Sequence, residues 1–476
     1  MPTTRLTKII ATLGPATGNK NGIKRLVTAG VNIFRLNLSH GSHDVVRQWI
    51  LWIREAEQEL HSYVGVLLDL QGPKIRVGKF ENGVMQLKRG QRVVLTANNR
   101  LGRESTIPIQ FPQFFKAVQA GSPVYLDDGK MSLKVVRVSA KQAVAEVTVG
   151  GRLSDFKGVN IPDATVSISP LTRKDKQDLQ FGLQEGVDFV ALSFAGSASD
   201  IHKLRRLIPS SPDSPEIIAK IERMQAVKNL KEIVEAADGV MVARGDLGIE
   251  TPLSEVPVAQ HRILRECVLQ SKPVIIATQM LESMINHARP TRAEVSDISN
   301  AVTNCADGIM LSGETAVGKH PRAAVEMMVE TAVKTEAFQR QTQRIVPWSW
   351  FFKESPPIHL GISYSANRLV ELLDASALVV FTLSGGTAKM IVSPRPMVPV
   401  FAFTSSRSQA RKLTLLRGVV PFLVENEGNL MDDIEWVFRL LKRKRFVKKN
   451  DRIVIATGLP VGIPGWTNTI RVEIVP

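Results

Sequence analysis

The feature that most constrains this chain is a rhythm. Short apolar runs of strand character alternate with amphipathic stretches of helix character, and the strand runs start at Leu6, Val31, Tyr63, Phe189, Glu216, Gly239, Lys272 and Gly308. A continuous apolar run marks a strand buried on both faces, and strand–helix alternation demands a parallel sheet covered by helices. Eight such units predict a closed (β/α)8 barrel over 1–70 and 170–345, with a doubly wound open sheet as the alternative. Between them, over 71–169, the pattern changes to short strands with Gly at the corners, such as VMQLKRGQRVVLT and SPVYLDDGKMSLKVVRV. This reads as a small all-β domain inserted in the alternating one. After a Pro- and Trp-containing link, VPWSWFFKESPP, the alternation returns, predicting a smaller α/β domain over 350–476.

In a (β/α)8 barrel the carboxyl ends of the strands carry the active site. Those ends hold Arg35, Asn37, Ser39 and His40 on strand two and Asp69 on strand three. Strand five gives Lys220 and Glu222, strand six Arg244 and Asp246, strand seven Thr278 and Gln279, and strand eight Ser312 and Glu314. Each alone reads as a loop or capping residue; placed repeatedly at one pole, they form a polar ring. Its chemistry suits phosphoryl transfer, which needs charge neutralisation and positioning more than covalent help. Glu222 and Asp246 are hard oxygen donors suited to Mg2+, Lys220 faces the transferring group, and Arg35 and Arg76 can grip phosphates. No zinc-type cluster, Ser/His/Asp order or Walker loop is present.

Composition narrows the class. The hydrophobic fraction of 44% fills several cores, and no apolar run is long enough to span a membrane. The start of the chain lacks a signal-peptide pattern, and Cys267 and Cys305, both in helix-like stretches, make no disulfide framework, so a cytoplasmic protein is expected. The net charge of +16 fits anionic substrates, but also a basic surface without function. Its one dense run, KRKRFVKK at 442–449, reads as a solvated helix end, and no nucleic-acid partner is expected because no motif accompanies it.

The stretches IFRLNLSHG, LLDLQGPKIR, IIAKIER, VMVARGDLGIE, IIATQMLESM, RPTRAEVSD and IMLSGETAVGKHP, in this order, closely resemble the pyruvate kinase family. The similarity runs from KIIATLGPAT to GWTNTIRV, and it implies that the 71–169 insertion is a small β-barrel lid and that the 350–476 domain binds an effector. It implies phosphoryl transfer from phosphoenolpyruvate to ADP, giving pyruvate and ATP, with Mg2+ (Mn2+ as a substitute) as cofactor, in a homotetramer. By motif position, Arg35 and Lys220 contact the phosphoryl group, and Glu222 and Asp246 bind the metal. Ala243, Arg244, Gly245, Asp246 and Thr278 hold the rest of the substrate through the backbone and the Thr278 hydroxyl. Asn37, Ser39, His40, Arg76 and Lys174 match nucleotide-side positions. Asn37, Ser39, Asp69 and the Leu70 carbonyl match a monovalent-cation site. Thr278, or waters reaching Ser312 and Glu314, would protonate the enolate.

One departure stands out. Lys74, in LDLQGPKIR, occupies a position where many family members carry glutamate, and its ammonium can substitute for K+. In the last domain, FTLSGGTAKM offers Thr382, Ser384, Gly385, Gly386 and Thr387 before a helix start, a phosphate cradle, and the resemblance implies that it holds the phosphate of an allosteric sugar phosphate or AMP. The plain reading of that loop is a capping turn. Trp49, Trp52, Met280, Met284 and Met310 read as packing residues, and His43, His61 and His202 as isolated ones. Competing functions are another barrel enzyme acting on phosphoenolpyruvate or pyruvate, and a basic nucleic-acid-binding protein on an inactive barrel.

Overall fold

The computed structural model describes residues 5–39, 41–97, 101–111, 113–162, 170–342, 357–424, 434–458 and 467–476. His40, most of the 346–357 link, and Gly465 and Trp466 of GWTNTIRV lie outside them.

Eight parallel strands close a barrel: β1 Lys8–Thr12, β2 Ile33–Asn37, β3 Gly65–Leu70, β4 Phe189–Leu192, β5 Glu216–Ile221, β6 Gly239–Ala243, β7 Val274–Ala277 and β8 Gly308–Leu311. The ring closes between β1 and β8, where Lys8 pairs with Gly308 and Ala11 with Leu311. The open sheet is therefore excluded. Strand side chains alternate between two apolar environments. Ile9, Phe34, Leu68, Val190, Ile217 and Val240 join the layer under the helices. Their neighbours Ile10, Ile33, Leu67, Phe189, Ile218 and Met241 fill the barrel interior. This parity sets the rim: Arg35 follows Ile33 by two, Asp69 follows Leu67, and Lys220 and Glu222 follow Ile218. The helices carry their own start signals, as in the reciprocal caps Thr172–Asp175 and Thr291–Glu294.

The segment after β3 forms a mixed six-stranded half-barrel and a two-stranded ribbon around a separate core containing Val93, Phe114, Leu133 and Val147. It leaves and rejoins the barrel at the rim, where Arg76 bridges to Gly158. The last domain has five strands, β9 Ala377–Phe381, β10 Val400–Thr404, β11 Val419–Leu423, β12 Arg452–Thr457 and β13 Thr469–Ile474, in the order 11-10-9-12-13, with only β13 antiparallel. It seals the lower pole of the barrel. Leu415 packs into the interior core, Gly418 donates its N–H to the Leu6 carbonyl at 2.8 Å, and Arg395 pairs with Asp307 at 2.7 Å. Among the described residues no helix is long and apolar enough to cross a membrane.

Candidate active site

The upper rim holds a continuous chain of charge. Arg35 Nε donates to Asp69 Oδ2 at 2.7 Å, and Arg35 also reaches the Thr12 hydroxyl at 3.1 Å. Lys220 Nζ lies 3.3 Å from Asp69 Oδ1 and 2.9 Å from Glu222 Oε1, and donates to the Ser193 hydroxyl at 2.6 Å. Burial works against the charged form of Lys220, but the Asp69 and Glu222 carboxylates outweigh it and hold its pKa above the usual lysine value. Burial likewise works against ionised Asp69, yet Lys220 and Arg35 keep its pKa below the usual carboxyl range. Glu222 differs. Burial and the neighbouring negative charge of Asp246 lift its pKa, and Lys220 offsets only part of this.

Local structure around strand six departs from the sequence expectation. β6 stops at Ala243, and Arg244 and Asp246 start a short helix, Arg244–Glu250. Gly245 donates its N–H to the Thr278 hydroxyl at 2.8 Å. Thr278 and Gln279 both take positive φ, 70° and 56°, a strained backbone at the mouth of the barrel. The Arg244 guanidinium is committed sideways, to Asp297 at 2.7 Å and the Thr278 carbonyl at 2.7 Å. Buried Glu314 accepts N–H groups from Ser312 at 2.7 Å and Leu281 at 3.1 Å, tying the β7 and β8 loops together.

The structure brings Arg35, Asp69, Lys220 and Glu222 into one cluster, but not every sequence-derived residue joins it. Lys174 pairs with Asp178 and donates to the Leu38 carbonyl at 3.0 Å. Asp178 also accepts from His43 at 2.9 Å, whose ring stacks on Phe181; His43 is therefore not isolated, because its helix start faces the Lys174 helix. Arg76 donates to the Phe156 carbonyl at 2.9 Å in the lid, and exposed Lys74 lies against Gly158. Asn37 accepts the Ser39 N–H at 3.1 Å, while the Leu70 carbonyl accepts from Ser193 at 2.7 Å. In the last domain Gly385 takes φ 81°, and the Thr387 hydroxyl lies 2.9 Å from that of Thr467. Trp49, Trp52 and the three methionines pack into cores as expected. Both cysteines are free, and Cys305 lies just past its helix, which ends at Thr303. Ser193 and Phe194 end an apolar run in the sequence and carry no functional signal there. Their position after a strand was visible, but their contacts cross to other strands.

Residues 4–325 match the family described as pyruvate kinase, barrel domain, and residues 361–473 match pyruvate kinase, alpha/beta domain. This chain belongs to the pyruvate kinase family. It is 41% identical over 478 residues to pyruvate kinase 2 of Synechocystis sp., covering all of this chain and 80% of that one. It is 40% identical to the pyruvate kinase of Geobacillus stearothermophilus, covering 99% of this chain and 80% of the relative. A crystal structure of a pyruvate kinase from Cryptosporidium parvum superposes with a TM-score of 0.91 at 33% identity, covering 99% of this chain and 96% of that one. The chain is thus an enzyme of the pyruvate kinase type, a phosphotransferase. The family implies a divalent metal, and the rim of this pyruvate kinase fold suits one. Among the described residues no three His, Cys, Asp or Glu side chains cluster as a complete metal cage. Glu222 and Asp246 are two hard oxygen donors close enough for the charge of one to act on the other, and they would suit an ion that keeps waters and takes further oxygens from substrate.

Proposed function

We propose that this chain transfers the phosphoryl group of phosphoenolpyruvate to ADP, leaving pyruvate and ATP, the last step of glycolysis. The observation that carries this reading is Lys220, buried at the rim yet held charged between Asp69 and Glu222, with Arg35 on the same carboxylate network. Glu222 and Asp246 would hold Mg2+, or Mn2+ in its place, and the bound cation supplies neutralisation of phosphate charge. Lys220 and Arg35 steady the phosphoryl oxygens as charge redistributes. The backbone of Ala243–Asp246 and the Thr278 hydroxyl receive the carboxylate and the developing enolate. Because the Thr278 oxygen accepts from Gly245 N–H, its own hydrogen remains to face the enolate, with Ser312 and Glu314 behind as a relay. Asn37, Ser39, His40, Arg76 and Lys174 serve the nucleotide. The 71–169 lid closes over the mouth and keeps water from the phosphoryl group.

Three further assignments complete the reading. Asn37, Ser39, Asp69 and Leu70 form the monovalent-cation site, and Lys74 supplies the charge that K+ would bring, so turnover needs no added K+. Thr382, Ser384, Gly385, Gly386 and Thr387 bind the phosphate of an activating sugar phosphate or AMP. The active form is a homotetramer in the cytoplasm. One experiment tests the set: initial rates of pyruvate formation in tetramethylammonium buffer, with and without Mg2+, KCl and a panel of phosphorylated metabolites. The expected outcome is a strict need for ADP and Mg2+, little gain from KCl, and activation by at least one phosphorylated metabolite at low phosphoenolpyruvate. No ADP-dependent pyruvate in any condition overturns the reading.

A further inference from the structure

The loop after β4 touches the candidate machinery twice. Ser193 accepts from Lys220, as described above, and Phe194 donates its backbone N–H to Glu222 Oε2 at 2.8 Å. To do so Phe194 adopts φ 57°, a left-handed conformation that a bulky residue rarely takes. Something must hold it there, and two residues lie close to the ring. One is Gly72, itself at φ 67°, where a Cβ would come within 2.9 Å of the ring. The other is Arg223, whose guanidinium stands 4.8 Å from the centroid. Arg223 is the residue directly after Glu222 and starts the next helix in extended conformation. Its Nε is buried with no hydrogen-bond partner among the described residues, so at that atom the aromatic face takes the place of a polar partner.

We propose that Arg223 and Phe194 form a cation–π clamp that aims Glu222 at the divalent cation, making Arg223 a positioning residue. The inference rests on the reading of Glu222 as a metal ligand. The physical chain is short. Without the guanidinium the ring is released, Phe194 relaxes to negative φ, and its N–H leaves Glu222. Glu222 then keeps Lys220 on one oxygen and loses the donor that fixes the other. Hydrogen bonds to a ligand carboxylate orient it, and their loss weakens metal affinity. The clamp also borders the lid: Arg223 and Phe194 line a narrow crevice with Lys74, Val159 and Asn160.

The test is Mn2+ binding to the full chain without substrates, measured by electron paramagnetic resonance of free Mn2+. Arg223→Met and Phe194→Leu each weaken binding roughly tenfold. The double variant binds no more weakly than either single one, since both break one clamp. Phe194→Tyr, which keeps the aromatic face, retains wild-type affinity, and Arg223→Gln, which also removes the cation and is expected to weaken binding to the same degree, stands in if the methionine variant melts early. Glu222→Gln separates the two levels of the argument. If it abolishes Mn2+ binding while Arg223→Met binds as wild type, the clamp is refuted and the ligand assignment stands. If Glu222→Gln itself binds as wild type, the ligand assignment fails and takes the clamp with it.

Discussion

Lys220 at the upper rim and Lys8 at the lower pole are both barrel-strand lysines, 9% and 6% exposed, yet their surroundings drive them in opposite directions. Burial disfavours charge on each. At the rim two carboxylates stand within 3.3 Å of Lys220 and lift its pKa above the usual value. At the lower pole burial, reinforced by Arg5 and Arg417 and only partly opposed by Glu336 and Asp307, lowers Lys8 to about 7. The lower pole has carboxylates, but they are spent on the backbone and on arginine. Glu336 accepts the Leu6 and Thr7 N–H groups at 2.8 and 2.7 Å, and Asp307 accepts from Val274, Arg417 and Arg395. Lys8 is left donating to the Val419 carbonyl at 2.6 Å, a contact that fastens the last domain but does not hold the charge. The lesson is that burial does not by itself decide a lysine's charge; the allocation of nearby carboxylates does. One pole leaves them for its lysine, the other spends them on assembly.

The comparison can be broken at either end. Asp69→Asn removes the carboxylate shared by Arg35 and Lys220. We expect kcat to fall about 10^2–10^3-fold, the scale of losing one preorganised electrostatic contact. Saturating steady-state kinetics check this, and a near-wild-type kcat would mean the rim does not depend on that allocation. The smaller effect is at Lys8. Its pKa is lowered in the folded state, so between about 7 and 10.5 the unfolded chain binds more protons and stability rises with pH. Lys8→Met abolishes that term. From pH 7 to pH 9 the wild type should gain about 2–3 kcal/mol that the variant does not, read from denaturant unfolding at each pH.

Much of the architecture could be read because it is periodic. The eight βα units and the interior parity of Ile33–Arg35, Leu67–Asp69 and Ile218–Lys220–Glu222 follow from alternation along each strand, a local property. What escaped was set by contacts between distant segments. Phe194 reads as the end of an apolar run, and only its contacts with Gly72, Arg223 and Glu222 give it a role. The left-handed backbone of Thr278 and Gln279 has no marker, because neither is glycine. Nothing near Arg244 in the sequence marks Asp297, on a later helix, as the partner of its guanidinium. Lys8 passed as a strand residue, since its neighbours Glu336, Arg417 and Val419 lie more than three hundred positions along the chain.

The most direct test sets the two lysines side by side: ADP-dependent pyruvate formation at neutral pH by Lys220→Met and by Lys8→Met, both checked for folding by their melting curves. The account predicts that Lys220→Met loses at least about 10^3-fold in kcat while Lys8→Met stays within about twofold of wild type. A Lys220→Met enzyme that turns over at a near-normal rate, or a folded Lys8→Met enzyme that falls as far, would contradict it.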